Sequence, residues 1–187
     1  MTEHWFALGN RPGHRTLEQQ LTGLELMLER IPGKTVLDMG CAEGLIAFEC
    51  HARGAARVHG VELRKSAIRY AKNRAIHMRR IAFDIGNADA WRPVKPYDVV
   101  LLLAILQKLN DPGRTFARML VACRELCVLR LPQRAWPVLT MRKPDPIEYP
   151  LAAIAKAQQF ELVHVADGPT IGDAPPEWIG YFERIKR

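Results

Sequence analysis

Two carboxylates, each closing a short apolar run, are the residues in this chain whose type and spacing best suit chemistry. Asp38 ends Thr35-Val36-Leu37-Asp38 and is followed by Met39-Gly40-Cys41-Ala42-Glu43-Gly44; Glu62 ends Arg57-Val58-His59-Gly60-Val61-Glu62. Glycine has no Cβ, so a glycine-containing loop lets backbone come close to a ligand. A carboxylate at the end of the next strand offers two oxygens to the two hydroxyls of a ribose. The pair describes a nucleoside-binding strand–helix–strand unit.

The loop chemistry narrows the nucleoside. Gly33-Lys34-Thr35 has the end of a phosphate-binding P-loop, but Leu28 stands where its first glycine belongs and the triplet precedes a strand. A dinucleotide fingerprint starting at Gly40 meets Ala42 and the bulky Leu45 where glycines are needed. Asp38 would also set a negative charge beside a pyrophosphate. A ligand with an amine, a sulfonium and no phosphate tolerates Asp38 near its positive groups. S-adenosylmethionine is such a ligand, with Glu62 on its ribose.

The elements that must hold these residues alternate strand and helix, which predicts an α/β fold. Leu17, Leu21, Leu24, Leu28 and Ile31 recur at helical spacing over 15–31, and Pro32-Gly33 ends that helix. Strands are expected at Thr35–Asp38, Arg57–Glu62, Arg80–Ile85, Tyr97–Leu103, Leu126–Leu131, Glu161–Val165 and Trp178–Arg184. Helices are expected at Leu45–Arg53, Ser66–Ala75, Pro112–Val121 and Leu151–Gln159. Residues 133–149 and 168–176 read as irregular, proline-containing connections. The expectation is a doubly wound, seven-stranded, mostly parallel sheet flanked by helices and preceded by an N-terminal helix. It forms one domain over 1–187, with 1–33 as a cap segment and 34–187 as a Rossmann-like core.

With its motifs placed, the chain resembles the class I, Rossmann-like S-adenosylmethionine-dependent methyltransferases. Val36-Leu37-Asp38-Met39-Gly40-Cys41-Ala42-Glu43-Gly44 is similar to that family's first motif, keeping the acid, the first glycine and the last. Glu62 stands where the family's ribose-binding acid stands. Gly86-Asn87-Ala88-Asp89 resembles the turn after strand three that flanks the adenine, and Tyr97-Asp98-Val99-Val100-Leu101 resembles the fourth-strand motif. The resemblance runs over roughly 34–187. It implies a cofactor site made by Asp38, Gly40, Cys41, Ala42, Gly44, Glu62, Leu63, Asn87, Ala88, Asp89 and Leu103. Two positions depart from the family: Ala42 replaces a usual glycine and Asn87 a frequent aspartate. Alanine is expected to need only an ordinary backbone conformation there, and Asn87 keeps an acceptor while adding a donor.

The same resemblance places the methyl acceptor beyond strands four and five, against Ala104–Leu109, Gln133–Tyr149 and roughly His4–Arg15. Leu103-Ala104-Ile105-Leu106 is unlike the N-P-P-Y-type tetrapeptide of amino-methylating members, and the chain has no Pro-Cys dipeptide for methylation at pyrimidine carbon five. No spaced Lys-Asp-Lys-Glu set for ribose methylation can be placed. Gln107-Lys108 stands where many small-molecule members carry histidines; His4, His14 and Asp111 are the candidate proton acceptors, with a surface position the plainer reading of each. No catalytic residue is assigned. An activated methyl group needs chiefly a well-positioned nucleophile. In 133–149, Arg134, Trp136, Met141, Arg142, Lys143 and Tyr149 interleave cations with aromatics, as stacked bases or an anionic planar acceptor would suit, although a solvated connection that packs Trp136 is the plainer reading.

Composition bounds the rest. Of 187 residues 48% are hydrophobic and 25% charged, a globular balance that argues against disorder. No apolar run reaches the roughly 20 residues of a membrane span. The N-terminal residues show no signal pattern, so the expected location is the cytoplasm. Cys41, Cys50, Cys123 and Cys127 form no CxxC pair, and no metal is expected. The net charge of +7 invites an anionic partner, with Arg64, Lys65, Arg69, Lys72, Arg74, Arg79 and Arg80 in one stretch, though a solvated helix surface is the default. The expected function is therefore methyl transfer from S-adenosylmethionine to an O or N atom of a small molecule or an RNA. Either a partner chain or second copy is expected to complete the acceptor pocket, or the acceptor is expected to dock on an open face. The alternatives are a cofactor-binding, non-catalytic module acting as a partner, and a basic nucleic-acid-binding protein.

Overall fold

The computed structural model describes residues 15–132, 150–170 and 176–186. Seven strands are joined in the order β3-β2-β1-β4-β5-β7-β6. They are β1 (Thr35–Met39), β2 (Arg57–Glu62), β3 (Ile81–Ile85), β4 (Tyr97–Leu103), β5 (Cys123–Leu131), β6 (Phe160–Asp167) and β7 (Trp178–Arg184). The first five run parallel, and β7 lies antiparallel between β5 and β6. The chain order reverses between β1 and β4, where a crevice opens beyond the carboxyl ends.

Both faces of the sheet are covered, which is why its central strands read as continuous apolar runs. Val36, Val58, Leu101 and Val128 face one layer of helices: α1 (Leu17–Leu21), α2 (Glu25–Glu29), α3 (Leu45–Ala52) and α4 (Lys65–Arg74). Leu37, Val100, Cys127 and Phe182 face the other, made by α5 (Pro112–Val121) and α6 (Pro150–Ala157). Asp98, the acid of the fourth-strand motif, accepts from the Thr35 N–H (2.8 Å) and hydroxyl (2.7 Å). It ties β4 to β1 at the end of the sheet away from the crevice. Partial burial works against its charge, but the Thr35 hydrogen bonds and the Arg124 guanidinium prevail and hold its carboxyl below the usual value.

Three expectations need correction. The helix predicted over 15–31 is two five-residue helices broken at Thr22–Leu24. Gly23 sits at φ +76, where a Cβ would lie 2.5 Å from the Asp167 carbonyl oxygen, and its own carbonyl accepts from the Tyr181 hydroxyl (2.5 Å). Strands β6 and β7 press on the chain there and interrupt it, while Leu24, Leu28 and Ile31 stay buried. β5 begins at Cys123 and not Leu126, because Cys123 pairs with Tyr97 across a bulge. β6 extends to Phe160 and Asp167, both paired with β7.

The basic stretch divides as a helix surface does. Ala67, Ile68 and Ala71 of α4 are buried, and Lys65, Arg69, Lys72 and Arg74 are exposed. Arg74 lies over the Phe48 ring. All four cysteines are unpaired and buried. Burial pushes the thiols up, Cys123 to about 12, so none is a ready nucleophile. No helix of the described residues is long and apolar enough to cross a membrane.

Candidate functional site

A cavity of about 530 Å³ opens beyond the carboxyl ends of β1, β2, β3 and β4. Of the residues singled out in the sequence, it gathers Gly40 and Ala42 from the first loop and Glu62 and Leu63 from the end of β2. Asn87, Ala88 and Asp89 join from the turn after β3, and Leu103 from the end of β4. Asp38, Cys41 and Gly44 do not line it. Asp38 and Cys41 are buried beneath the loop. Gly44 sits at φ +86 at the start of α3, where a Cβ would meet the Phe83 ring at 2.7 Å, so its place is explained by packing.

The first loop spends its N–H groups internally. Gly40 and Cys41 both donate to the Val61 carbonyl (2.7 and 3.1 Å), and Gly44 donates to the Cys41 carbonyl (2.8 Å). Ala42 donates to Glu62 Oε2 (3.1 Å). An anion-binding nest needs those donors pointing outward, so this loop offers a phosphate little. The conformation expected of Ala42 is also corrected: its φ is +49, in the left-handed region that a family glycine occupies freely and alanine only at a cost.

Glu62 sits at the centre of the arrangement. One oxygen takes the Ala42 N–H and the other the Arg64 N–H (2.9 Å), which aims the carboxylate and leaves lone pairs for a ligand's hydroxyls. Arg64 also reaches Glu43 (3.2 Å). Asp38 keeps one carboxylate oxygen buried with no hydrogen-bond partner among the described residues. Its carboxyl is pushed up to about 7, first by burial and then by the Glu62 charge, against the opposing Ala47 backbone hydrogen bond and Arg130. Such a group favours a cation placed beside it.

The turn after β3 is braced from two sides. Asn87 Oδ1 accepts from the Asp89 N–H (3.0 Å), and the Gly86 N–H donates to the Glu62 carbonyl (3.0 Å). Asp89 accepts from the Asn110 N–H (3.2 Å) and side chain (2.9 Å), holding the loop after β4 against this turn. Leu63, 62% exposed, stands on the rim.

The loop after β4, where Ala104–Leu109 were expected to meet the methyl acceptor, does line the cavity. Ala104, Ile105, Lys108, Leu109 and Asn110 all line the cavity. Ala104 turns the chain at φ +56, and its N–H donates to the Arg130 carbonyl (2.8 Å). Gln107 donates to the Ala104 carbonyl (2.9 Å), closing the 3₁₀ turn Leu106–Lys108. The strand was expected to end at Leu103, as it does, and only the 3₁₀ turn that follows it was not foreseen. Asp111 itself caps α5 through the Arg114 N–H (2.9 Å). His59 is held between the Tyr97 hydroxyl (2.7 Å) and Asp84 (2.9 Å), as a structural histidine would be. His4, His14 and the segment Gln133–Tyr149 lie outside the described residues.

A buried ionic cluster beside β5 was equally unforeseen. Arg130, 1% exposed, donates to the Gln20 carbonyl (2.6 Å) and side-chain oxygen (3.1 Å), with Glu177 3.8 Å away. Glu177 holds Arg15 in a two-pronged pair at 2.8 Å on each side. Burial pushes the Arg130 guanidinium down to about 10. Residues this far apart in sequence carry no spacing signal.

Against known proteins, residues 36–125 match the model of a family described as a methyltransferase domain. The chain is 26% identical over 157 residues to a ubiquinone biosynthesis O-methyltransferase of Leptothrix cholodnii, covering 82% of this chain and 63% of that one. It is 32% identical over 100 residues to the protein of the same name in Nitrosospira multiformis, covering 52% and 40%. It thus spans less than two thirds of these curated relatives. Among solved structures, an S-adenosylmethionine dependent methyltransferase from Mesorhizobium loti superposes with TM-score 0.69 at 17% identity, over 86% of this chain and 95% of that one. Magnesium protoporphyrin IX methyltransferase from Synechocystis PCC 6803, with bound SAH, does so with TM-score 0.69 at 15% identity, over 90% and 84%.

Proposed function

We propose that this chain, whose residues 36–125 match a methyltransferase-domain model, transfers a methyl group from S-adenosylmethionine to an oxygen or nitrogen atom of an acceptor. The observation that carries this reading is the pairing of Glu62 with a first loop whose N–H groups are turned inward. That pairing suits a ribose and disfavours a phosphate.

The residues present fit the cofactor. Glu62 would take the ribose hydroxyls and Leu63 would lie by the adenine. Asn87 and Ala88 would flank its edge, with Asp89 acting through the loop it braces. Gly40 and Ala42 would form the floor under the sulfonium, and Leu103 the wall opposite. Asp38, buried with an unpartnered oxygen, would supply negative potential under the cationic part of the ligand, and Cys41 and Gly44 would hold the loop in shape. About 530 Å³ is within the range of small-molecule sites. The bound cofactor supplies an activated methyl group; the protein's part is to exclude water and hold the nucleophile in line. In this reading the protein works in the cytoplasm, where its four unpaired cysteines stay reduced.

Calorimetric titration with S-adenosylmethionine and S-adenosylhomocysteine, with NADH as the control, tests the reading. Binding of the first two and not the third is expected. Binding of NADH alone would overturn it. Tight cofactor binding with no labelled methyl transferred to RNA, protein or metabolite pools would favour the non-catalytic module.

A further inference from the structure

The chain's positive charge is not spread evenly over its surface. From Arg53 to Arg80 stand nine Lys/Arg residues against one acid, Glu62, which is more than the whole chain's excess of +7. Arg53, Arg57, Lys65, Arg69, Arg79 and Arg80 are exposed and make no ion pair among the described residues. Lys72 has Asp84 only at 3.9 Å. Cations elsewhere on the surface are matched: Arg30 with Glu183, Lys34 with Glu125 and Arg124 with Asp98. A face that is merely solvated mixes its signs in that way; this one leaves its charge uncompensated.

The cations are also aligned. Lys65, Arg69 and Lys72 follow one another at i, i+4 and i+7, so they form one row along the outer face of α4, about 10 Å long. Ser66 and Asn73, also exposed, flank that row with a hydroxyl and an amide. The fold carries the charge on past the helix. The Val58 N–H donates to the Arg80 carbonyl (2.7 Å), and His51 donates from Nε2 to the Arg79 carbonyl (2.9 Å). These bonds set Arg79 and Arg80 beside Arg57 at the start of β2 and Arg53 at the end of α3. At its other end the row begins next to Arg64, which lines the cavity.

We propose that this surface, the outer face of α4 continued over the amino ends of β2 and β3, binds the backbone of a single-stranded RNA. The inference goes beyond methyl transfer and needs no cofactor. A line of cations fits a line of phosphates. Most of these cations are arginines, whose planar forks take two phosphate oxygens at once. Ser66 and Asn73 can both donate and accept, as a ribose 2′-hydroxyl requires. A membrane is the lesser fit. Ile76 (73% exposed) and Met78 (40% exposed) stand among the cations, but two such side chains bury less than the single myristoyl chain that anchors only marginally.

Fluorescence anisotropy of a labelled oligouridine of about twelve nucleotides tests the proposal. Binding to the parent should weaken about 100-fold between roughly 50 and 200 mM salt, a log–log slope near about −3.5 for about five phosphate contacts. Lys65→Ala/Arg69→Ala/Lys72→Ala puts a good helix former at each exposed position. It should lose at least about tenfold in affinity and flatten the slope by about 2. Arg79→Ala/Arg80→Ala, off the helix, gives a second reading, with the slope flattened by about 1.4. Lys95→Ala, an exposed cation outside this surface, should leave the slope as it is. The oligodeoxyuridine of the same length should bind at least about threefold more weakly. No binding of oligouridine by the parent, slopes unchanged in both multiple variants, or equal flattening by Lys95→Ala overturns the proposal. Equal binding of the deoxy strand overturns the choice of RNA. Vesicles with about 30% phosphatidylserine that hold the parent and not the triple variant, with no oligouridine bound, overturn it in favour of a membrane face.

Discussion

The two halves of the sheet's carboxyl edge are furnished in opposite ways. Over β1, β2 and β3 stand Asp38, Glu43, Glu62 and Asp89, with Arg64 reaching Glu43 and Glu62 and with glycines or a left-handed alanine between them. Over β4, β5 and β7 stand Lys108, Arg130 and the Arg15–Glu177 pair. The acidic half is local in sequence, each acid lying at the end of its own strand or a few residues beyond it. The cationic half is assembled from the N-terminal segment, the end of β5 and the approach to β7.

The largest expected effect comes from unbalancing the cationic half. Glu177→Ala leaves Arg15 and Arg130 buried without their carboxylate, and should cost about 3–5 kcal/mol of stability in urea unfolding. A loss below ~1 kcal/mol would show that the cluster does not hold that half together. Next is the acidic half: Glu62→Ala removes the ribose acceptor and should weaken S-adenosylhomocysteine binding by about 100-fold, from charged hydrogen bonds of roughly 1.5–3 kcal/mol each. Undiminished affinity would move the ligand elsewhere.

A pH experiment sharpens the contrast. The Asp38 carboxyl is raised from 3.8 to about 7, so the native protein holds a proton that the unfolded chain has released. Through this group, stability falls as pH rises from about 4 to about 7, and Asp38→Asn should flatten that slope. Cofactor affinity should run the other way, increasing from about pH 6 to about pH 8 as the acid ionises beside a cation. The smallest effect is at the loop itself: Ala42→Gly should relieve left-handed strain and stabilise the protein by less than about 1 kcal/mol, read as a small rise in Tm.

The acidic half was legible in the sequence for a physical reason. Short strands ending in an acid, with a glycine turn beyond, leave a mark at fixed spacing, and β4 and β7 were placed at their observed ends. The break at Gly23 was illegible because its cause, the pressure of Asp167 and Tyr181, lies over 140 residues away. The turn after β4 was illegible because Ala104 and Gln107 make it with residues of no turn-forming reputation. Ala42 was misjudged because an alanine gives no sign of φ +49 until its N–H is seen reaching for Glu62.

The clamp of Arg15 on Glu177 also sets an order of events for a newly made chain. Its two partners stand 162 residues apart, and Gly23 meets Tyr181 across a gap of 158. Contacts of such separation carry a large loop-closure cost and form late. The acidic half can condense from β1, β2 and β3 while the rest is still being synthesised. Arg15 and Gly23 have no Glu177 or Tyr181 to engage until the chain up to β7 has been made. Proteolysis during refolding should therefore cut residues near Arg15 long after the strands around Glu62 have become protected.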